Sequence, residues 1–153
     1  MIIVDESSPI SESFDLFMQA AILTQKYADS KFYKRAGISL IQFTALQILA
    51  TADKPVIPSE ISRQTLRVRH DITTLDKRMK RDGSVDVMPN TNDRRSVIIT
   101  ITEKGREKLV QAKPIANEIA NQVMSKINKT NMASMTKTLN ILSKNSLDGI
   151  DKL

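Results

Sequence analysis

The sequence contains no cysteine and a single histidine. The first absence excludes a disulfide framework, a thiol redox sensor and a thiolate metal site, and fits a reducing compartment. The second excludes a multi-histidine metal site, so no metal or other cofactor is expected. Tryptophan is missing and aromatic residues make up 4% of the 153-residue chain, which leaves Leu, Ile, Val, Ala and Met to fill a core. Four glycines and five prolines are too few for a turn-rich architecture and favour long helices. No apolar run approaches the roughly 20 residues that span a bilayer. The opening MIIVDESSPI carries acids where an export signal carries bases, so the expected location is the cytoplasm, away from membranes. There is no Ser/His/Asp grouping, no phosphate-binding loop and no pair of carboxylates in an apolar setting, so the chain is not expected to be an enzyme.

What the chain has is positive charge, unevenly placed. The net charge is +6. Residues 1–62 hold 5 basic and 7 acidic side chains, whereas residues 63–95 hold 9 and 5, a net +4 in only 33 residues. Residues 96–153 also hold 9 and 5, spread over nearly twice the distance. A dense basic stretch is the footprint of a surface for nucleic acid. It is equally what a solvated face looks like. With 41% hydrophobic residues the chain can form one domain, or one domain with an oligomerisation extension.

The pattern predicts a first helix from Pro9, capped by Ser8, to about Lys34. Phe14, Phe17, Ala21, Ala28 and Phe32 form one apolar stripe, and Leu16, Met18 and Ile22 add apolar surface on other sides. That points to burial against a second subunit, the alternative being an ordinary core helix. Gly37 ends it. Ser39 and Gln42 form a capping box for a second helix, with Ile38 stapled to Phe43. After a turn at Pro55, Pro58–Arg63 reads as a short helix, Thr65-Leu66-Arg67 as a tight connection, and Val68–Asp82 as a basic helix closed by Gly83. That is helix-turn-helix order. Val68, Ile72, Leu75 and Met79 recur at spacings of four, three and four and form the buried stripe. His70, Thr74, Lys77 and Arg81, flanked by Arg69 and Thr73, take the other side. Val85–Met88 and Ser96–Ile101 read as two strands joined through Asn90–Asp93, a β-hairpin with Arg94 and Arg95 at its tip. Thr102 caps a long helix to about Lys129, kinked at Pro114, and Thr130 or Asn131 caps a last one. Leu147, Ile150 and Leu153 then form an apolar tail that a monomer leaves uncovered.

A helix presenting Arg69, His70, Thr73, Thr74 and Lys77 suits the major groove of B-DNA, where Arg and Lys donate to guanine and Thr methyls meet the thymine methyl. Ser59, at the start of the short helix, can hold a phosphate through its hydroxyl and the helix amides. Arg63 and Arg81 are candidate phosphate clamps, and Arg67 in the turn joins the DNA-facing set. A guanidinium on a thin β-ribbon can enter the minor groove. Asp93 would repel phosphate there unless it pairs with a neighbouring arginine and orients the tip; the plainer alternative is a surface ion pair worth about 0.5 kcal/mol.

Residues 39–105 resemble the winged helix-turn-helix of the MarR family of transcription regulators. The motifs that carry the resemblance are SLIQFTALQIL, PSEISRQT, ITTLDKRMKRDGSV and DRRSVIITITEKG. The last is the most specific, matching the wing pattern through Asp93, Arg95, Ile99, Ile101 and Thr102. The resemblance implies a mainly α fold with a small β-hairpin wing, laid out as an N-terminal dimerisation helix (1–36), a DNA-binding lobe (37–101) and C-terminal long and dimerisation helices (102–153) within a single structural domain. It implies a homodimer with interlocked terminal helices, a palindromic operator in double-stranded DNA and, usually, repression. Arg95 would be the minor-groove arginine, steadied by Asp93, with Arg94 a neighbouring phosphate contact. Members are often released by a small aromatic or phenolic anion bound between the dimer helices and the DNA-binding lobe. Met18, Ile22, Tyr33 and Phe43 are candidates for that pocket, or are plain core. Ser84 and Asp86 depart from the family pattern, as does Arg67-Val68-Arg69, which gives the basic helix no good N-cap. The absent cysteine excludes the peroxide-sensing branch and the single His70 the zinc-sensing one. Two alternatives stay open: a constitutive DNA-binding activator or architectural protein with no effector, and a winged helix used for protein contacts.

Overall fold

A computed structural model of the chain describes residues 8–67 and 69–152, with Arg69 and His70 as backbone only. Val68 of the expected buried stripe and Leu153 of the apolar tail lie outside the described residues. Six helices and one hairpin are found among them: α1 (Pro9–Ala36), α2 (Leu40–Thr51), α3 (Pro58–Thr65), α4 (Arg69–Arg81), β1 (Val85–Pro89), β2 (Val97–Ile101), α5 (Glu103–Val123) and α6 (Lys129–Ile150).

Local chemistry sets most of the boundaries. The Ser8 side chain accepts from the Ile10 amide at the start of α1, and Gly37, at φ 64°, closes it in the left-handed conformation that glycine adopts without a Cβ clash. Ser39 and Gln42 form the expected capping box on α2. Asp29 reaches across from α1 and accepts the Leu40 amide at 2.8 Å, which satisfies a further orphan donor at that helix start. The Thr102 hydroxyl accepts from the Gly105 amide at 3.1 Å and caps α5.

The C-terminal boundaries differ from the expectation. α5 stops at Val123, and Asn128, not Thr130 or Asn131, caps α6 by accepting from the Asn131 amide. The break sits at Lys126, which adopts φ 67° although it is not glycine, so no residue type advertised it. α5 passes through Pro114, whose missing N–H leaves the Val110 carbonyl without its helical donor; Val110 is well exposed, so water can take that place.

The chain divides into two compact units, one ending at Ile119 and one beginning at Ala120. In the first, Phe32 of α1 stacks on Phe43 of α2 with ring centroids 4.8 Å apart. Leu46, Ile61, Ile72, Met79, Val85, Ile99, Leu109 and Ile115 continue one aliphatic core through α2–α5 and the hairpin. Burial at this depth supplies about 1.5–3 kcal/mol for each large side chain and holds the lobe together. β1 and β2 pair antiparallel with Val85 opposite Ile101 and Val87 opposite Ile99. The Ile99 amide also donates to the Val56 carbonyl at 2.8 Å, so the segment before α3 ties the hairpin stem to the lobe. Only the end of α1 joins this core: Ala28 and Phe32 are buried, whereas Phe14 and Phe17 are exposed. In the second unit, α6 buries none of its residues, and Leu139, Ile141, Leu147 and Ile150 all face solvent.

Candidate nucleic-acid interface

α3 and α4 are joined by a turn in which Leu66 takes a left-handed conformation (φ 54°). The Arg67 amide donates to the Ser62 carbonyl at 3.1 Å, and the Ser62 hydroxyl donates back to the Arg67 carbonyl. These bonds fix the angle between the two helices. α4 then packs Ile72, Leu75, Asp76 and Met79 inward and leaves Thr73, Thr74, Lys77, Arg78, Lys80 and Arg81 exposed. The outer face is therefore hydroxylic in the middle and cationic toward its end, as the spacing predicts. Arg69 and His70 open the helix; their side chains lie outside the description. α4 closes with the Gly83 amide on the Lys80 carbonyl and the Ser84 amide on the Met79 carbonyl, with Gly83 at φ 76°.

Asp76 was not among the residues expected inside. It is 6% exposed, and burial pushes its carboxyl up to about 6 because no counter-charge compensates the lost hydration. Its place between Ile72 and Met79, four and three residues away, is the signal that could have revealed it.

On α3, Ser59 is exposed at the second helical position, while the Glu60 and Ile61 amides that follow it both donate to the Ile57 carbonyl. Arg63 is exposed too, but its guanidinium forks onto Glu60, with Nε to Oε2 at 3.1 Å and NH2 to Oε1 at 2.6 Å. The Arg63 bonds, with a further one from Gln64, hold the Glu60 carboxyl down at about 2. A phosphate would have to compete with Glu60 for this arginine. Sequence spacing of three carried that signal.

The wing tip is built by side chains bonding to backbone. Asn90 Nδ2 donates to the Ser96 hydroxyl at 2.8 Å, and the Asn90 amide donates to the Ser96 carbonyl at 3.1 Å, closing the loop at its base. Asp93 Oδ1 accepts the Arg95 amide at 3.0 Å, and the Asp93 carbonyl accepts the Ser96 amide at 3.0 Å. Asp93 thus orders the tip through the Arg95 backbone and not through an ion pair with its guanidinium. The reason is distance along the chain: an Asx turn reaches two residues on, where that amide lies. Arg94 and Arg95 are exposed, and among the described residues neither guanidinium forms an ion pair.

The four candidate pocket residues are not gathered in one place. Phe43 belongs to the core, Met18 is half-buried, and Ile22 and Tyr33 are 60% and 73% exposed on α1. Eleven residues of helix separate the last two by about 16 Å.

No family model matches the chain. The transcriptional activatory protein BadR of Rhodopseudomonas palustris is 35% identical over 82 residues, which are 50% of this chain and 47% of that protein, so the match spans about half of BadR. The transcriptional repressor MprA of Escherichia coli K12 is 27% identical over 140 residues, 88% of this chain and 78% of MprA. Among solved structures, a MarR-like transcription regulator from Bacillus cereus superposes with TM-score 0.78 at 27% identity, covering 88% of this chain and 95% of its own. Sco3205, a MarR family regulator of Streptomyces coelicolor solved in complex with DNA, shares the fold with TM-score 0.83 over 95% of this chain and 92% of its own, at 16% identity. The chain is thus similar to MarR-like transcription regulators in fold and, at 27% identity to the Bacillus cereus regulator over 88% of its own length, in sequence.

Proposed function

We propose that the chain is a cytoplasmic, homodimeric transcription regulator that binds an inverted-repeat operator in double-stranded DNA, acts as a repressor, and is released by a small aromatic or phenolic effector. One observation carries the reading: on a single compact unit, the hydroxylic and basic outer face of α4 accompanies a thin hairpin ending in two exposed arginines. The major groove, roughly 12 Å wide, admits a helix, and the adjacent minor groove concentrates negative potential for a guanidinium. In this reading Arg69, His70, Thr73, Thr74 and Lys77 face base edges. Ser59, Arg63, Arg67, Arg81 and Arg94 face phosphates, and Arg95, on the tip ordered by Asp93, enters the minor groove.

Dimerisation rests on apolar surface. Leu16, Ile22 and Leu23 of α1 and Ile141, Leu147 and Ile150 of α6 are each at least half exposed in one chain. Two copies would cover these faces and present two α4 helices to half-sites about one helical turn apart. Repression follows the names of MprA and of YetL of Bacillus subtilis, while BadR is named an activator. An effector would act by binding better to a dimer geometry with the wrong half-site spacing.

The scatter of Ile22, Tyr33 and Phe43 favours a second reading, constitutive DNA binding without an effector. Selection of bound sequences from random DNA, with and without a panel of aromatic acids, tests both. A palindrome lost on adding one acid supports the first, and a palindrome indifferent to all of them supports the second. No enrichment over random sequence would remove the DNA-binding reading itself.

A further inference from the structure

We propose that Lys108 is a positioning residue for α4: with Asp82 and Ser84 it fixes the end of the DNA-facing helix to α5, and through it the angle at which that helix meets DNA. The proposal rests on the DNA-binding reading and adds a residue that touches no DNA.

Two attachments join the end of α4 to α5. The first is made by Thr102 at the start of α5, through its hydroxyl and its amide. The Thr102 hydroxyl donates to the Gly83 carbonyl at 2.6 Å, and the Thr102 amide donates to the Ser84 carbonyl at 3.1 Å. The two segments lie so close that a Cβ on Gly105 would stand 2.1 Å from the Ser84 carbonyl oxygen. The second is made by side chains. Lys108 Nζ lies 3.0 Å from Asp82 Oδ2 and donates to the Ser84 hydroxyl at 3.0 Å. That hydroxyl donates in turn to Asp82 Oδ1, which also accepts the Ser84 amide. Every polar atom of the group has a partner, although Ser84 is only 1% exposed. Burial pushes the Asp82 carboxyl up, but the bonds from Ser84 and Lys108 outweigh it and hold the carboxyl below its usual range.

Geometry gives the second attachment its role. Thr102 and Lys108 are six residues apart, about 9 Å along α5. α4 is seated on the core through Ile72, Leu75 and Met79, and two attachments at its end, about 9 Å apart along α5, limit the tilt that this apolar seat allows better than one does. α4 has 13 residues and is about 20 Å long, so a tilt of about 10° at its end moves its first turn by about 3 Å. Hydrogen bonds to base edges do not survive a shift of that size, whereas attraction to phosphates falls off gently. The latch therefore governs specific binding more than total binding. It also gives a purpose to Ser84, one of the departures from the family pattern: a side chain without a hydroxyl could not bridge Asp82 to Lys108.

The test compares wild type with Lys108→Met, Lys108→Arg and Thr74→Ala, each first checked for folding and for its dimer. Affinities are measured for the selected operator and for a scrambled duplex. Losing the register of one or two base contacts, each worth roughly 1–3 kcal/mol, should weaken Lys108→Met on the operator about 10- to 100-fold while scrambled DNA changes about twofold. Lys108→Arg should restore the operator affinity. Thr74 lies about 12 Å from Asp82 along α4, far enough for independent effects to add. Positioning predicts instead that Thr74→Ala costs less in the Lys108→Met background. Should Lys108→Met lose its dimer, Ser84→Ala, which removes only the bridging hydroxyl, carries the same comparison. Equal losses on both DNAs, an additive cycle, or wild-type affinity in Lys108→Met would each overturn the proposal while leaving the DNA-binding reading intact. A wild-type chain that prefers no sequence would overturn both.

Discussion

Replacing Asp76 by asparagine should stabilise the lobe at neutral pH, by an amount that depends on pH. Asp76 is buried at 6% exposure on the inner side of α4, and its carboxyl titrates near 6 instead of 3.8. A carboxyl raised in the folded state means that the native protein holds a proton which the unfolded chain has already released between those two values. Stability therefore falls as pH rises through that window, and the full penalty is present above it. At about 1.4 kcal/mol per pH unit, a shift of this size corresponds to at most about 3 kcal/mol at pH 7.5. Asparagine has the same shape and does not ionise. The difference between Asp76→Asn and wild type should thus be small at pH 4, grow between pH 4 and pH 6.5, and level off above pH 7. Urea unfolding of both proteins at fixed chain concentration reads this directly, since titration of every other group cancels in the difference. A difference that is flat from pH 4 to pH 8, or a destabilised Asp76→Asn at pH 7.5, would refute the argument that an uncompensated carboxylate is buried under α4.

Three further outcomes are expected. Gly105→Ala places a methyl 2.1 Å from the Ser84 carbonyl oxygen, so it should cost about 3 kcal/mol or more, seen as a large drop in thermal midpoint or failure to fold. Ser39→Ala removes the capping box of α2 and should cost about 1 kcal/mol in the same assay, without changing DNA specificity. Glu60→Gln should free Arg63 and remove a negative charge from α3, tightening binding to all DNA sequences alike and steepening its salt dependence; a change confined to the operator would contradict this.

Elements whose cause is local were legible in the sequence. The capping box at Ser39 and Gln42, the left-handed closures at Gly37 and Gly83, the inward stripe of Ile72, Leu75 and Met79, and the alternating strand through Ile99 each follow from a few neighbouring residues. What escaped notice depends on residues far apart, or on a conformation that no residue type signals. The end of α5 turns on a lysine with positive φ. Lys108 meets Asp82 and Ser84 across more than twenty residues, a contact that periodicity does not carry. Asp76 lies inward by its spacing from Ile72 and Met79, but an acidic residue type does not signal burial. The effector pocket was drawn from apolar residues of α1 and α2, but such residues mark core, dimer face and pocket alike, and Tyr33, Ile22 and Phe43 fall in different surroundings.

The central claim is that the wing tip and α4 read DNA together, and Arg95→Ala tests it most directly. The side chain is exposed and the Arg95 amide, not its guanidinium, is what Asp93 holds, so the tip should keep its shape after the substitution. Equilibrium binding to the selected operator at several salt concentrations, with sedimentation in parallel, should show at least about tenfold weaker binding. The salt slope should be shallower by about one, and the dimer unchanged. Wild-type affinity and salt slope in Arg95→Ala would contradict the account.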